Sequence, residues 1–469
     1  MLRRLALIVL LAGCARDRPP PPAHVLLVVV DALRPDHLGC YGYARPTSPR
    51  LDAFAADATR FTNAVASSTW TLPAVATLMT SLYPSVHGAR RPSNTMAWGF
   101  DRAHFVADDA LDGSRTTLAE VLRAAGFRTG AFVTGAYPTR PFGFDQGFER
   151  FADNESRSFR VNVAKLFEWL DRDPPARFFA YLHPTEVHSP YAAPMPQPGE
   201  DRALFRVEQK RWESFAFDPD YRGRVNGQFD TLWRIRQRTL ALAPGDADHL
   251  VALYDQGIAY LDYWLGELFD GLRTRGLLEH TLIVVTADHG EELFDHDSVE
   301  HGSTFYDETM RVPLIVRAPG IGRGRVVEDQ VAHLDVMPTI LDLTGVRSDV
   351  FVQGRSLRPL LAGGTLPERP VVGEASMTAG LRALRTRRWK YVEHPRSRAP
   401  ELYDLVADPR ERTNLCARDR ARCRPFAADL HAWELEMKQA KAHLALPAAS
   451  PAPVDDETRQ RLHALGYVE

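Results

Sequence analysis

Three stretches put reactive side chain types where chemistry is usually done. The run HVLLVVV ends in Asp31, and TLIVVTA ends in Asp288-His289-Gly290. Open α/β sheets bind ligands beyond the carboxyl ends of their strands. The two runs therefore deliver two carboxylates and an imidazole to one edge, a donor set that suits a divalent ion. A single Asp after a strand is more often a helix cap; the pairing of two strands is what points to a metal. The third stretch, STWTLPAVATLMTSLYP, runs from Ser68 to Pro84. Pro73 suits the first position of a helix, and Val75, Leu78, Met79 and Leu82 then line one core-facing side. Thr71 stands at the N-terminus of that helix, where unpaired N–H groups and the helix dipole favour an anion. A threonine hydroxyl is a poor nucleophile at neutral pH, and a metal on its oxygen would favour the alkoxide. Taken alone, Thr71 would read as an N-cap.

The elements that must position these residues alternate between strand and helix. HVLLVVV is a continuous β-branched run, the pattern of a strand buried on both faces. GAFVTGA, RFFAYLH, TLIVVTADHG and VPLIVRAPG read as further buried strands. TLAEVLRAAGF places Leu118, Val121, Leu122 and Ala125 on one helical face and stops at Gly126. Residues 248–272 read as a long helix with Leu253, Gly257, Leu261, Trp264 and Leu268 along one side. This alternation predicts an α/β domain with a mostly parallel, doubly wound sheet. Beyond about residue 365, RALRTRRWKYVE and ELYDLVADP are short strand candidates, followed by a helix near 425–443. They predict a small C-terminal α+β domain.

The chain has 469 residues, 45% hydrophobic and 25% charged, with a formal net charge of −3. That balance gives no electrostatic case for nucleic acid. MLRRLALIVLLAGC has a basic start and an apolar run too short for a membrane helix, the pattern of a signal peptide. Its Leu-Ala-Gly-Cys resembles the bacterial lipoprotein box, which implies lipidation of Cys14. The following ARDRPPPPA then serves as an extended tether. Export to the periplasm or outer membrane follows from this reading. Cys416 and Cys423 form either a local bridge or two thiols, and Cys40 reads as a small buried residue.

HVLLVVVDALRPDHLGCYGY, TLPAVATLMTSLYPSVHG, DHGEELFDHDSVEHGSTFYDETMRVPLIVRAPG and ELYDLVADPRERTNL occur in that order. Together they resemble the sulfatase branch of the alkaline phosphatase superfamily from about residue 24 onward. The resemblance implies an α/β/α sandwich, a bound divalent ion and ester hydrolysis through a covalent intermediate. It implies metal-ligand roles for Asp31, Asp288, His289 and Thr71, and puts Thr71 at the position that sulfatases convert to formylglycine. His188, in HPTEVHSPY, matches a substrate-facing histidine, and His301, in EHGSTFYDE, lies where relatives often place another. His183 and Glu186 beside His188 read either as support for the site or as surface.

The departures redirect the chemistry. Ala32 replaces a second metal-binding Asp, and Val75 replaces the Arg that supports formylglycine. Thr71 is a secondary alcohol whose oxidation gives a ketone, so no formylglycine is expected. Only Lys165 and Lys210 occur between Thr71 and Pro319, where the family uses lysines to grip sulfate. Threonine nucleophiles occur elsewhere in the superfamily, in phosphoryl transfer. The sequence therefore points to a metal-dependent phosphate mono- or diesterase. A sulfatase and a catalytically inactive envelope scaffold are the alternatives. The expected layout is signal peptide 1–13, lipidated Cys14 and tether 14–22, catalytic domain 23–363 and C-terminal domain 364–469. The expected partners are an anionic ester and a membrane. Calcium, magnesium, manganese and zinc all stay open, as does the oligomeric state.

Overall fold

The computed structural model describes residues 21–90, 109–135, 137–154, 158–191, 216–375, 377–394, 399–444 and 460. The expected signal peptide and the Cys14 anchor lie outside the described residues, as does Lys210. The strands of the first half are β1 (His24–Val30), β2 (Thr59–Val65), β3 (Arg128–Thr134), β4 (Arg150–Asn154) and β5 (Phe178–His183). Then come β6 (Thr281–Ala287), β7 (Glu292–Leu293), β8 (Val299–Glu300), β9 (Arg311–Arg317), β10 (Arg325–Val327) and β11 (Val331–Ala332). The last four are β12 (Val371–Gly373), β13 (Arg382–Arg385), β14 (Trp389–Glu393) and β15 (Glu401–Asp404).

Nine strands form the main sheet in the order β10-β2-β9-β6-β1-β5-β3-β4, with β11 also on β2. β1 is central, and every residue of it is buried, which is why its sequence is an unbroken apolar run. Among the described strands of this sheet β9 alone runs against the others. The reason is positional. The chain leaves β6 at its carboxyl end, builds residues 288–310 at that same edge, and re-enters from there without a crossover helix. Helices pack in two layers, one with 49–56, 159–172 and 246–274 in contact, the other with 71–80, 118–124 and 336–344. This is the mostly parallel α/β/α sandwich that the alternation predicts.

The helices differ from expectation in detail. Thr71–Thr80 is helical with Trp70 as its N-cap, so Thr71 is the first helical residue and Pro73 the third. Every residue of this helix is buried, not one face, because segments 84–87, 118–124 and 333–344 also pack against it. The long helix spans Asp246–Thr274, and its buried stripe is Leu250, Tyr254, Ile258, Leu261, Leu265, Leu268 and Leu272. Of the predicted stripe, Gly257, Leu261 and Leu268 are buried, and Leu253 and Trp264 are only half-buried at its edge. At Gly257 a Cβ would stand 2.8 Å from the Glu186 carbonyl oxygen, so the helix is pressed onto the loop that carries His188. Cys40 is half-buried at the core margin and not enclosed.

The C-terminal strands form a separate antiparallel sheet, β12-β13-β14-β15, covered by the helix Arg424–His443. Cys416 and Cys423 are joined by a disulfide at the start of that helix, with Cα atoms 5.8 Å apart. Among the described residues no helix is long and apolar enough to cross a membrane.

Candidate active site and metal centre

Parallel pairing is what gathers the reactive residues. The β1 ladder continues past its strand end: Asp31 N–H donates to Pro184 O at 3.0 Å, and Asp288 N–H to Val30 O at 3.2 Å. The carboxyl ends of β1, β5 and β6 are thereby stapled side by side. β2 points the same way and leads into the helix that begins at Thr71. Asp31, Thr71, Asp288 and His289 are each 3% exposed or less.

His289 donates its Nδ1–H to Gly290 O at 2.8 Å, which leaves Nε2 as a lone-pair donor facing the site. That atom is 3.4 Å from Thr71 Oγ1 and 3.5 Å from both Asp31 Oδ1 and Asp288 Oδ2. The ligand atoms of Asp31, Asp288 and His289 all lie within 4.8 Å of one another. Asp288 Oδ1 accepts from the N–H groups of Ala32 (3.1 Å) and His289 (2.8 Å). Asp31 Oδ1 and Asp288 Oδ2 have no hydrogen-bond partner although both are buried. Buried carboxylate oxygens left open cost several kcal/mol unless a cation takes them. The donor set therefore fits a divalent ion, whose ligand atoms typically stand about 3–3.5 Å apart.

The charges around the site agree. Burial pushes the Asp31 carboxyl up, but His188, His183 and His289 outweigh it and hold it below the usual carboxylate range. Burial pushes Asp288 up to about 6. Burial, and then His289, keep His301 well below the ordinary imidazole value. Its ring lies 4.3 Å from that of His289 and 4.9 Å from that of His188. His301 Nδ1 is 2.9 Å from Glu291 Oε1, and His188 donates its Nδ1–H to Ser189 O at 2.6 Å. All six residues singled out in the sequence thus meet at one sheet edge.

Glu291 was missed there. It is fully buried and holds His301, and its position two residues past His289 in DHGEE was the available signal. His183 and Glu186, left open between support and surface, are both buried. Ala32, with no carboxylate to offer, has φ 59, a left-handed backbone that costs a non-glycine residue about 1 kcal/mol. Its N–H to Asp288 and its carbonyl, which accepts from Tyr254 OH at 2.7 Å, keep it there. Val75 is buried inside the helix, one turn from Thr71. Lys165 is half-buried on the helix Phe159–Arg172, not at the site.

Residues 23–346 match the sulfatase family. The chain belongs to that family. Residues 299–440 also match the C-terminal region of N-sulphoglucosamine sulphohydrolases. Arylsulfatase K of Bos taurus is 32% identical over 180 residues, 36% of this chain and 33% of that protein. The chain thus spans about a third of the length of such curated relatives. Among solved structures, the phosphonate monoester hydrolase from Silicibacter pomeroyi superposes with a TM-score of 0.64 at 22% identity, over 90% of this chain and 95% of that one. A protein solved with its substrate D-glucosamine-2-N,6-O-disulfate gives 0.67 at 19% identity, over 93% and 100%. These likenesses establish the fold.

Proposed function

We propose that the protein is a metal-dependent hydrolase of phosphate mono- or diesters, with Thr71 as the nucleophile. The observation that carries the reading is Thr71 Oγ1, on the first residue of a ten-residue helix, 3.4 Å from His289 Nε2, the atom that also stands 3.5 Å from both open carboxylate oxygens. Asp31, Asp288 and His289 would hold the ion, which supplies Lewis-acid stabilisation of the negative charge that builds up on the reacting oxygens. Thr71 Oγ forms its bond to phosphorus as the bond to the leaving alcohol breaks. The Thr71 proton ends on that alcohol. His301 and His188, each tied through Nδ1, present Nε2 toward a bound ester and can accept a proton at one stage and return it at the next. Water then cleaves the phospho-threonine and regenerates the hydroxyl.

A phosphonate monoester has the charge and leaving-group arrangement of a phosphodiester, so the Silicibacter protein supports this reading. A second reading, a sulfatase, is favoured by the names of the curated relatives. One comparison separates them: the purified protein, metal-loaded, is assayed on an aryl sulfate, an aryl phosphate and an aryl phosphodiester, beside Thr71→Ala and Thr71→Ser. Turnover of a phosphorus ester that Thr71→Ser retains and Thr71→Ala loses is the expected result. Aryl sulfate turnover that survives Thr71→Ala would overturn the nucleophile, and a protein that turns over none of the three and binds no metal would be a scaffold.

A further inference from the structure

We infer that His183 is a positioning residue for Asp31, orienting the carboxylate that the metal centre takes from β1. This rests on the metal centre proposed above, and on neither the nature of the ester nor the role of Thr71.

The two metal-binding carboxylates are held very differently. Asp288 is fixed through Oδ1 by two backbone N–H groups, which aims Oδ2 at the site. The Asp31 carboxylate lacks that support at Oδ1, which is buried and has no hydrogen-bond partner. Its Oδ1 faces His289 Nε2 at 3.5 Å, and its Oδ2 faces His183 Nε2 at 3.7 Å. His183 is completely buried, and its Nε2 has no hydrogen-bond partner. One oxygen of Asp31 is thus turned to the metal-ligand cluster and the other to an imidazole with nothing else to bind.

The other end of that imidazole fixes its tautomer. Tyr181, two residues earlier on β5 and on the same face, lies with its hydroxyl 3.2 Å from His183 Nδ1. If Nδ1 carried the proton, the Nε2 lone pair would point at a carboxylate in a buried site. With Tyr181 O–H donating to Nδ1, Nε2–H points at Asp31 instead, which is the favourable arrangement. The backbone leaves little slack. His183 O accepts from Thr134 Oγ1 at 2.8 Å, Val133 pairs with His183 across β3 and β5, and Asp31 N–H bonds the next residue's carbonyl at Pro184. A shift of about half an ångström in the Asp31 side chain closes 3.7 Å to a hydrogen bond. An ion drawing on Oδ1 leaves Oδ2 as the atom to be anchored. His183 stands outside the group whose ligand atoms lie within 4.8 Å of one another, so it acts on Asp31 and not on the ion. With Ala32 offering no carboxylate, the orientation of Asp31 bears on affinity more than it would in a site with an acid to spare.

Partners that orient a metal ligand typically change metal affinity by 10–100-fold when removed. The test is calorimetric titration of the metal-stripped full chain with Mn²⁺, for wild type, His183→Leu, His183→Gln, His183→Asn and Tyr181→Phe. His183→Leu is expected to weaken Mn²⁺ binding 10–100-fold, and Tyr181→Phe measurably but by less than tenfold. His183→Gln, which keeps an N–H near the Nε2 position, is expected to regain most of the loss. Equal Mn²⁺ affinity in wild type and a folded His183→Leu would overturn the inference. If His183→Leu does not fold, wild-type affinity in Tyr181→Phe together with a Gln variant no better than His183→Asn would do so. A wild type that binds no Mn²⁺, Mg²⁺, Ca²⁺ or Zn²⁺ would instead remove the metal centre itself, and the inference with it.

Discussion

The segment 288–310 borders two buried polar clusters that are built on opposite principles. At its start, Asp288 and His289 join Asp31 in a group whose carboxylate oxygens are left open. Near its end, Asp307 is saturated. Arg385 of β13 donates to both its oxygens at 2.8 and 2.7 Å, and Lys390 of β14 reaches it at 2.5 Å. Lys390 also pairs with Glu411 at 2.9 Å, and Glu411 in turn accepts the Asp307 N–H at 2.7 Å. Arg385 also donates from Nη1 to Asn63 and Gln330. Burial alone does not separate the two clusters, since Asp288 and Lys390 are both fully enclosed. Satisfaction does. A closed network holds the C-terminal sheet to the loop carrying His301, whereas an open one keeps room for something that is not protein.

The sharpest way to break that contrast is Asp288→Asn. It removes a proposed ion ligand, and hydrolysis of the best ester substrate should fall about 10⁴-fold, roughly 5 kcal/mol in barrier. It also removes a buried charge with one oxygen unpaired. The metal-free protein should therefore unfold at the same urea concentration as wild type or a higher one. A large loss of metal-free stability would show that the site is held together by contacts among its own residues.

Asp307→Asn should behave in the opposite way. Two buried cations lose their shared anion, and unfolding in urea at pH 7 should show a loss of about 3–5 kcal/mol. Burial pushes the Asp307 carboxyl up, but Arg385 and Lys390 outweigh it and hold it far below the ordinary value. A depressed carboxylate stabilises the fold above its unfolded pKa, about 3.9, and that stability is lost as pH falls through the folded value. The wild type should lose this contribution below about pH 4, and the Asn variant should have none of it to lose. Parallel stability curves for the two proteins between pH 3 and 7 would contradict the role given to the network.

What the sequence could show follows the same division. The strand ends at Asp31 and Asp288-His289 were legible because a buried parallel strand is an unbroken apolar run, and the polar residue that ends it is conspicuous. Thr71 was legible as a helix start. The reversal of β9 was not, because a buried strand reads alike in either direction. The close approach of Gly257 to the Glu186 backbone was not legible either, because it is a contact across the fold that no local pattern encodes. Glu291 was hidden among ordinary acidic residues, since an acid that orients a histidine has no spacing of its own. Asp307, Lys390 and Glu411 went unread for a related reason. Their partners lie 83 and 104 positions away from Asp307, and each looks like a surface charge until the two sheets are brought together.

The smallest effect tests the open cluster without any mutation. A ligand that binds only the folded state adds RT ln(1 + [L]/Kd), about 2.7 kcal/mol at a hundredfold excess over Kd. Wild type saturated to that degree with the correct divalent ion should melt higher than the same protein in chelator. Asp288→Asn should lose most of that increment. Asp307→Asn, although less stable throughout, should keep it, because its damage is to the closed network and leaves the donors at the other end of the segment in place. The two increments measured side by side separate loss of an ion from loss of a fold. An ion-dependent rise of equal size in wild type and Asp288→Asn would mean that the ion binds elsewhere on the molecule, and the open oxygens would then need another occupant.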